Sequence, residues 1–394
     1  MHRNCLKIAS LVIISGCATW SKPDVKSDWA ALSQASSLDC RDLPLLPEDL
    51  RIDKVRVLES SGPSLMLEVT SRKGVKNFYH LAFRKMGDLS PPNLVRLPVG
   101  LDATFMGAGI SGKKAVFVVH ALVKDKPYFQ VRDLATNALI SQISTKLKVF
   151  ELGAWTLTDD KLFALVREDK TDEATDDQPY QQIEIPIHSD KGTQVVVSHV
   201  VGNQVATFSD AQKKRWILSI DRGLSSSKKD PRFKITPWMS GKKEAAVEVD
   251  EKGPIESWNF LESDKGLSLA YIKGDSLLWE NTSLEVTGLA TNDPFSKQAQ
   301  ASINLSRVHV AQPLLAGNTK ETLVFLPQWL DHEISVAGYR YNGAELAPIG
   351  YLGVFKEGSA FEQAFYHEPS EKFYLLSRFN SSTVARFSLC EVEQ

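Results

Sequence analysis

The residues best suited to chemistry are Gly107-Ala108-Gly109-Ile110-Ser111-Gly112, followed by Lys113 and Lys114. A GxGxxG run ending in lysine approaches a phosphate loop, in which backbone N–H groups cradle an anion at the start of a helix. Here the next residues, 115–122, read AVFVVHAL, a strand pattern, and Lys114 stands where a magnesium-holding Ser or Thr belongs. The segment therefore predicts a glycine-rich hairpin turn. His80, His120, His188, His199, His309, His332 and His367 are scattered, with no HxH or HExxH spacing, and no GxSxG elbow is present. The acidic run 168–177 (EDKTDEATDD) lacks the calcium-loop pattern and its central glycine, and reads as a solvated hairpin. No catalytic residue, cofactor or metal ligand is assigned.

One charged segment is a candidate for binding. Residues 213–243 hold ten basic side chains against Asp221 and Asp230, with Trp216, Phe233 and Trp238 interleaved. Lys228, Lys229, Arg232 and Lys234 could grip an acidic protein or an anionic envelope polymer such as lipopolysaccharide. The competing reading is a basic surface whose aromatics pack inside. The chain as a whole has a formal net charge of −2 and does not read as a nucleic-acid binder.

The N-terminus carries a second kind of information. His2, Arg3 and Lys7 accompany a short apolar run, residues 8–14, and then Ser15-Gly16-Cys17. The pattern resembles the lipobox of bacterial lipoproteins. The resemblance implies cleavage before Cys17, acylation of its thiol and amine, and a mature protein held on a membrane by that residue. Ala18 follows, rather than the Asp associated with inner-membrane retention. By that family rule the outer membrane is favoured, with the protein on its periplasmic face or exported further. The apolar run is too short to span a bilayer, which takes about 20 residues.

Loss of the signal removes Cys5, and lipid would occupy Cys17. Of the four cysteines, Cys40 and Cys390 then remain, and an oxidising compartment lets them pair. Neither has a Cys or His within four residues to begin a zinc cluster.

The elements that must position these residues read as all-β. Short runs rich in Val, Ile, Leu, Phe and Tyr alternate with Gly, Asp, Asn, Ser and Lys turns. One strand type recurs at 64–69, 115–122, 161–166, 215–220, 267–272, 322–326 and 372–377, each just after a polar turn. The starts lie 51, 46, 54, 52, 55 and 50 residues apart. Another apolar run precedes each, a third follows, and a fourth is often visible. Four strands in about 50 residues, repeated seven times, predict a seven-bladed β-propeller of four-stranded blades. The structural alternative is two β-sandwich domains divided near residue 200.

The last repeat shows only three strands. Residues 38–46 are the natural donors of a fourth, which places Cys40 beside the strand of Cys390 and makes their disulfide a clasp on the ring. The organisation is thus a signal at 1–16, a tether at 17–36 and a propeller at 37–394. In length, lipobox and inferred fold the chain is similar to the propeller lipoprotein of the outer-membrane β-barrel assembly machinery. It lacks that family's Ala-Leu-Asn and Gly-Trp-type repeats, and Asp-box, kelch and WD signatures are also missing.

The function expected is a membrane-anchored envelope scaffold, holding a protein or an envelope polymer through its loops or central channel. The alternative is a periplasmic enzyme acting on glycans or peptides, with paired carboxylates or a nucleophile–base pair at the channel mouth. Phe105, Trp155, Phe208, Trp258 and Phe365 recur in first strands, where they either wedge between blades or line the channel.

Overall fold

The computed structural model describes residues 38–43, 52–59, 64–71, 76–85, 88–89, 93–96, 103–112, 114–134, 136–168, 180–188, 194–200, 204–209, 214–221, 232–238, 247–250, 255–263, 266–274, 282–290, 296–305, 309–330, 333–356, 358–381 and 385–393. The signal at 1–16, the tether at 17–36 with Cys17, and Lys228 and Lys229 lie outside the described residues. So do the side chain of Arg232 and the acidic residues 169–177.

Every regular element among the described residues is a strand, apart from one 3-10 turn at Glu368–Ser370. No helix among the described residues is long and apolar enough to cross a membrane. The first strand, β1 (Leu38–Leu43), belongs to the last sheet. Sheet I holds β2 (Ile52–Glu59), β3 (Ser64–Ser71), β4 (Lys76–Lys85), β5 (Asp88–Leu89) and β6 (Asn93–Arg96). Sheet II holds β7 (Ala103–Ser111), β8 (Lys114–Val123), β9 (Lys126–Asp133) and β10 (Leu139–Ser144). Sheet III is β11 (Val149–Leu157), β12 (Lys161–Glu168), β13 (Tyr180–Pro186) and β14 (Gln194–Val200). Sheet IV is β15 (Gln204–Ser209), β16 (Arg215–Asp221), β17 (Arg232–Pro237) and β18 (Val247–Asp250). Sheet V is β19 (Ile255–Ser263), β20 (Gly266–Lys273), β21 (Ser283–Ala290) and β22 (Ser296–Asn304). Sheet VI is β23 (His309–Val310), β24 (Leu314–Gly317), β25 (Thr322–Leu330), β26 (Glu333–Tyr341) and β27 (Leu346–Lys356). Sheet VII joins β28 (Ser359–His367), β29 (Lys372–Asn380) and β30 (Ala385–Val392) to β1.

Consecutive strands pair as an antiparallel meander in each sheet, so local hairpins build it, with β1 on β30 as the exception. The recurrent apolar runs are the second strands. They are apolar because both their faces are covered: in β8 the five residues Val116 to His120 are all buried. Outer strands alternate instead, as β10 does with Ser141 and Ile143 in and Gln142 and Ser144 out. Four strands per sheet is the expectation, and sheets I and VI have five. The extra piece comes from a broken strand. β5 and β6 both pair with β4, and Pro91-Pro92 lies between them. β23 and β24 both pair with β25, and Pro313 lies between them. Proline cannot donate to a ladder and interrupts it.

The core sits between neighbouring sheets. Val118, Val131, Leu162 and Ile183 share one cluster between sheets II and III. Trp216, Phe233, Trp258 and Leu269 share another between IV and V. Leu376 and Phe387 of the last sheet pack with Ile52, Val55 and Leu67 of the first. Two side chains stitch that last seam. Asn380 accepts from the Ile52 amide at 3.1 Å and donates to the Ile52 carbonyl at 2.6 Å. Gln363 Oε1 accepts from the Val57 amide at 2.8 Å.

β1 pairs with β30 in the register Leu38↔Val392, Cys40↔Cys390, Leu43↔Phe387. The expected Cys40–Cys390 disulfide is present. The donated strand is mostly exposed, with Leu43 buried at its end. Arg386 pairs with Asp42 at 3.0 Å, and the Ser388 hydroxyl donates to the same carboxylate.

Candidate functional site

The first strand of each sheet has a hydrogen-bonding neighbour on one side only. β2, β7, β11, β15, β19 and β28 all contribute to the wall of one cavity of about 490 Å³. Residues 152–157 of β11 all line it in unbroken sequence. Side chains alternate faces along a strand, so an unbroken run means that the strand meets the cavity edge-on. An edge presents unpaired N–H and C=O groups.

Close packing of the inner strands depends on glycine. A Cβ on Gly107 would lie 2.8 Å from Trp155 Cε3 and 2.9 Å from Leu162 Cδ1. Gly153 is placed likewise against Tyr180 and Val205. These small residues let β7, β11 and β15 approach one another.

The polar groups on the wall are few. Thr156 and Thr207, on adjacent inner strands, join hydroxyl to hydroxyl at 2.6 Å. Gln363 reaches across to Val57. Trp155, Leu152, Leu157 and Phe260 supply apolar surface. Among the described residues the lining contains no Asp, Glu, His, Lys, Arg or Cys.

Compared with solved structures, the chain is similar to a prolyl endopeptidase at 13% identity and a TM-score of 0.53, over 86% of this chain and 47% of that one. It is similar to Kuenenia stuttgartiensis hydrazine synthase at 11% identity and a TM-score of 0.51, over 88% and 96% of the two chains. The β-propeller domain of Myceliophteria thermophila Cps50 (Swd1) matches at 12% identity and a TM-score of 0.46, over 87% and 99%. With its consecutive antiparallel meanders, the fold is a β-propeller. At these identities the likeness concerns the fold alone. The chain spans about half the length of the prolyl endopeptidase it matches, 47%. No family model and no curated protein matches it.

Within the propeller, the recurrent first-strand aromatics take different places. Phe105, Phe208, Trp258 and Phe365 are buried between sheets. Trp155 does both jobs: it packs edge-on against Phe105 at 6.2 Å and also lines the cavity. Phe260 joins it there, stacked on Trp258 at 6.2 Å. Nothing in the sequence marks Phe260 except its place two residues beyond Trp258 on the same strand.

The glycine-rich segment is a hairpin, β7 turning at Gly112 into β8. It brings together a serine and a histidine that the sequence leaves 77 residues apart: Ser111 Oγ lies 3.1 Å from His188 Nε2. This is not an activated nucleophile. Ser111 is buried, and its hydroxyl donates to the Asp159 carbonyl. With that proton engaged, the imidazole is left to donate to the hydroxyl, the reverse of general-base catalysis. The Asp159 carboxylate takes the Gly112 amide at 2.9 Å. The group latches sheet II to sheet III.

Three further histidines whose side chains are described are also committed. Buried His120 bonds the Leu147 carbonyl at 2.9 Å, and burial holds its pKa below the ordinary value. His309 lies against Trp329 with the rings tilted and their centroids 4.4 Å apart. Buried His367 meets Ser370 Oγ at 2.8 Å. Among the described residues no three His, Cys, Asp or Glu side chains are grouped to hold a metal.

The basic segment divides. Trp216, Phe233 and Trp238 are buried in seams between sheets, so they form no exposed stacking platform. Lys214 lies over Trp216 at 4.5 Å, and Arg215 over Phe163 at 4.1 Å. Burial lowers the Arg215 pKa, opposed by Glu262 and Glu184. Lys234 is exposed on β17, the strand that Arg232 begins.

Proposed function

We propose that the protein is a lipid-anchored binding scaffold of the bacterial envelope, on the periplasmic face of the outer membrane. Its seven sheets act as seven blades of a closed ring, with β1 completing the last blade and the Cys40–Cys390 disulfide locking it. Cys17 carries the acyl anchor, and residues 18–36 are the tether. The loops, and the basic group Lys228, Lys229, Arg232 and Lys234, the last two on β17, engage a protein or an envelope polymer.

One observation carries the preference for binding over catalysis. Six inner strands converge on one cavity whose described wall offers hydrogen-bonding and apolar groups without a titratable pair. Acid–base and nucleophilic chemistry needs such a pair within reach of the substrate. The closed ring is supported by the packing of the first sheet on the last through Asn380, Gln363 and their apolar neighbours. It also gives β1 a mechanical role. A pull on the anchor arrives through the tether at β1, and the disulfide prevents that strand from peeling away. The test is capture of crosslinked partners from intact envelopes, with the acylated N-terminus preserved.

A further inference from the structure

We infer that the central cavity is a binding site for a small neutral saccharide, of one or two sugar rings. The inference rests on reading the protein as a binder and names what the channel itself takes, as distinct from what the loops hold.

Size comes first. About 490 Å³ falls within the range of about 300–1,000 Å³ typical of small-molecule sites, and is too little for a folded partner. Charge comes second. The described wall has no ionisable side chain, so a charged ligand would lose its hydration and gain no counter-charge. Hydrogen-bond character comes third. The edges of β7, β11 and β15 offer N–H and C=O groups, Thr156 and Thr207 add two hydroxyls, and Gln363, whose Oε1 takes the Val57 amide, adds its NH2 donor. These groups both donate and accept, and they surround the ligand on several sides. The hydroxyls around a sugar ring also donate and accept in several directions. An extended peptide would pair with one edge and leave the others unanswered. The fourth feature is apolar surface. Trp155 and Phe260 give the C–H face of a sugar ring something to lie against.

The Thr156–Thr207 pair allows a clean perturbation. Each hydroxyl is the other's partner, so removing both at once leaves neither orphaned. T156V/T207V therefore keeps the seam between β11 and β15 while stripping polar groups from the wall.

The experiment uses the full-length acylated protein in a non-glycosidic detergent. Calorimetric titration and saturation-transfer NMR are run with maltose, cellobiose and N,N′-diacetylchitobiose. A disaccharide containing a uronic acid, its cationic glucosamine counterpart and a neutral hexapeptide serve as controls. The expected result is binding of at least one neutral disaccharide, weakened about tenfold or more in either charged counterpart and in T156V/T207V. T207V alone gives the same direction should the double variant fail to fold. The proposal is overturned if no neutral disaccharide binds, if charged ones bind equally, if the threonine variants bind unchanged, or if the hexapeptide binds in their place. Failure here with envelope capture intact removes the channel ligand alone, whereas failure of both removes the scaffold reading.

Discussion

Cys40 and Cys390 face each other across β1 and β30, one exposed to solvent and the other fully buried in the seam between sheets VI and VII. The bond therefore ties an outer, thinly held strand to the core of the last sheet. It links residues 350 apart, so it spans almost the whole described chain.

Reduction should loosen this clasp without unmaking the sheets. In the chain-entropy picture a loop of this size is worth about 5 kcal/mol. With an unfolding entropy of about 2.1 cal/mol/K per residue, that corresponds to a fall of roughly 7 °C in the thermal midpoint. Differential scanning with and without reductant, and on C40A/C390A, measures it. Equal melts from a fully oxidised start would show that β1 is held by its other contacts.

Gly107 should tolerate no side chain. Its Cβ would meet Trp155 and Leu162 within 3.0 Å, and neither can leave without opening the seam between sheets II and III. G107V is expected to cost about 1–3 kcal/mol, read as a lower urea midpoint with unchanged slope. A variant as stable as the parent would mean that the inner strands are not packed as described.

His120 gives the stability a pH dependence of known sign. Burial lowers its folded pKa, so the unfolded chain takes up a proton first as pH falls. The stabilising contribution is present above the unfolded value near 6.5 and is lost as pH falls from there toward the lower folded value. The urea midpoint should drop between pH 7 and pH 5 more steeply in the parent than in H120Q. Parallel profiles would assign the dependence to other groups.

The proposed anchor at Cys17 makes a simple prediction about fractionation. The parent should sediment with the outer membrane and incorporate labelled palmitate, while C17S should do neither. Palmitate incorporation by C17S would place the lipid elsewhere.

Much of the architecture was legible because burial writes it into composition. Second strands such as β8 and β25 are covered on both faces, so their sequences are nearly unbroken apolar runs recurring about every 50 residues. The missing fourth strand and two unspent cysteines pointed to the same place, which is why the β1–β30 pairing could be anticipated. The cavity left no such trace. Its wall is built from strand edges, and an edge has no residue signature: Thr156, Thr207 and Gly153 are ordinary types until the strands are set side by side. The interleaved aromatics of the basic segment left two readings open for a related reason, and the structure takes the packed one. Trp216 and Phe233 sit on strands with both neighbours present, and spacing along the chain does not say which face a blade hides.

The most direct measurement is crosslinking and affinity capture from intact envelopes, comparing the acylated parent with K228E/K229E/K234E. The account predicts a discrete envelope component crosslinked to the parent and lost from the charge-reversed variant, with both proteins melting alike. It is contradicted if the variant captures the same component equally well, or if nothing is captured while the purified protein cleaves an envelope glycan or peptide.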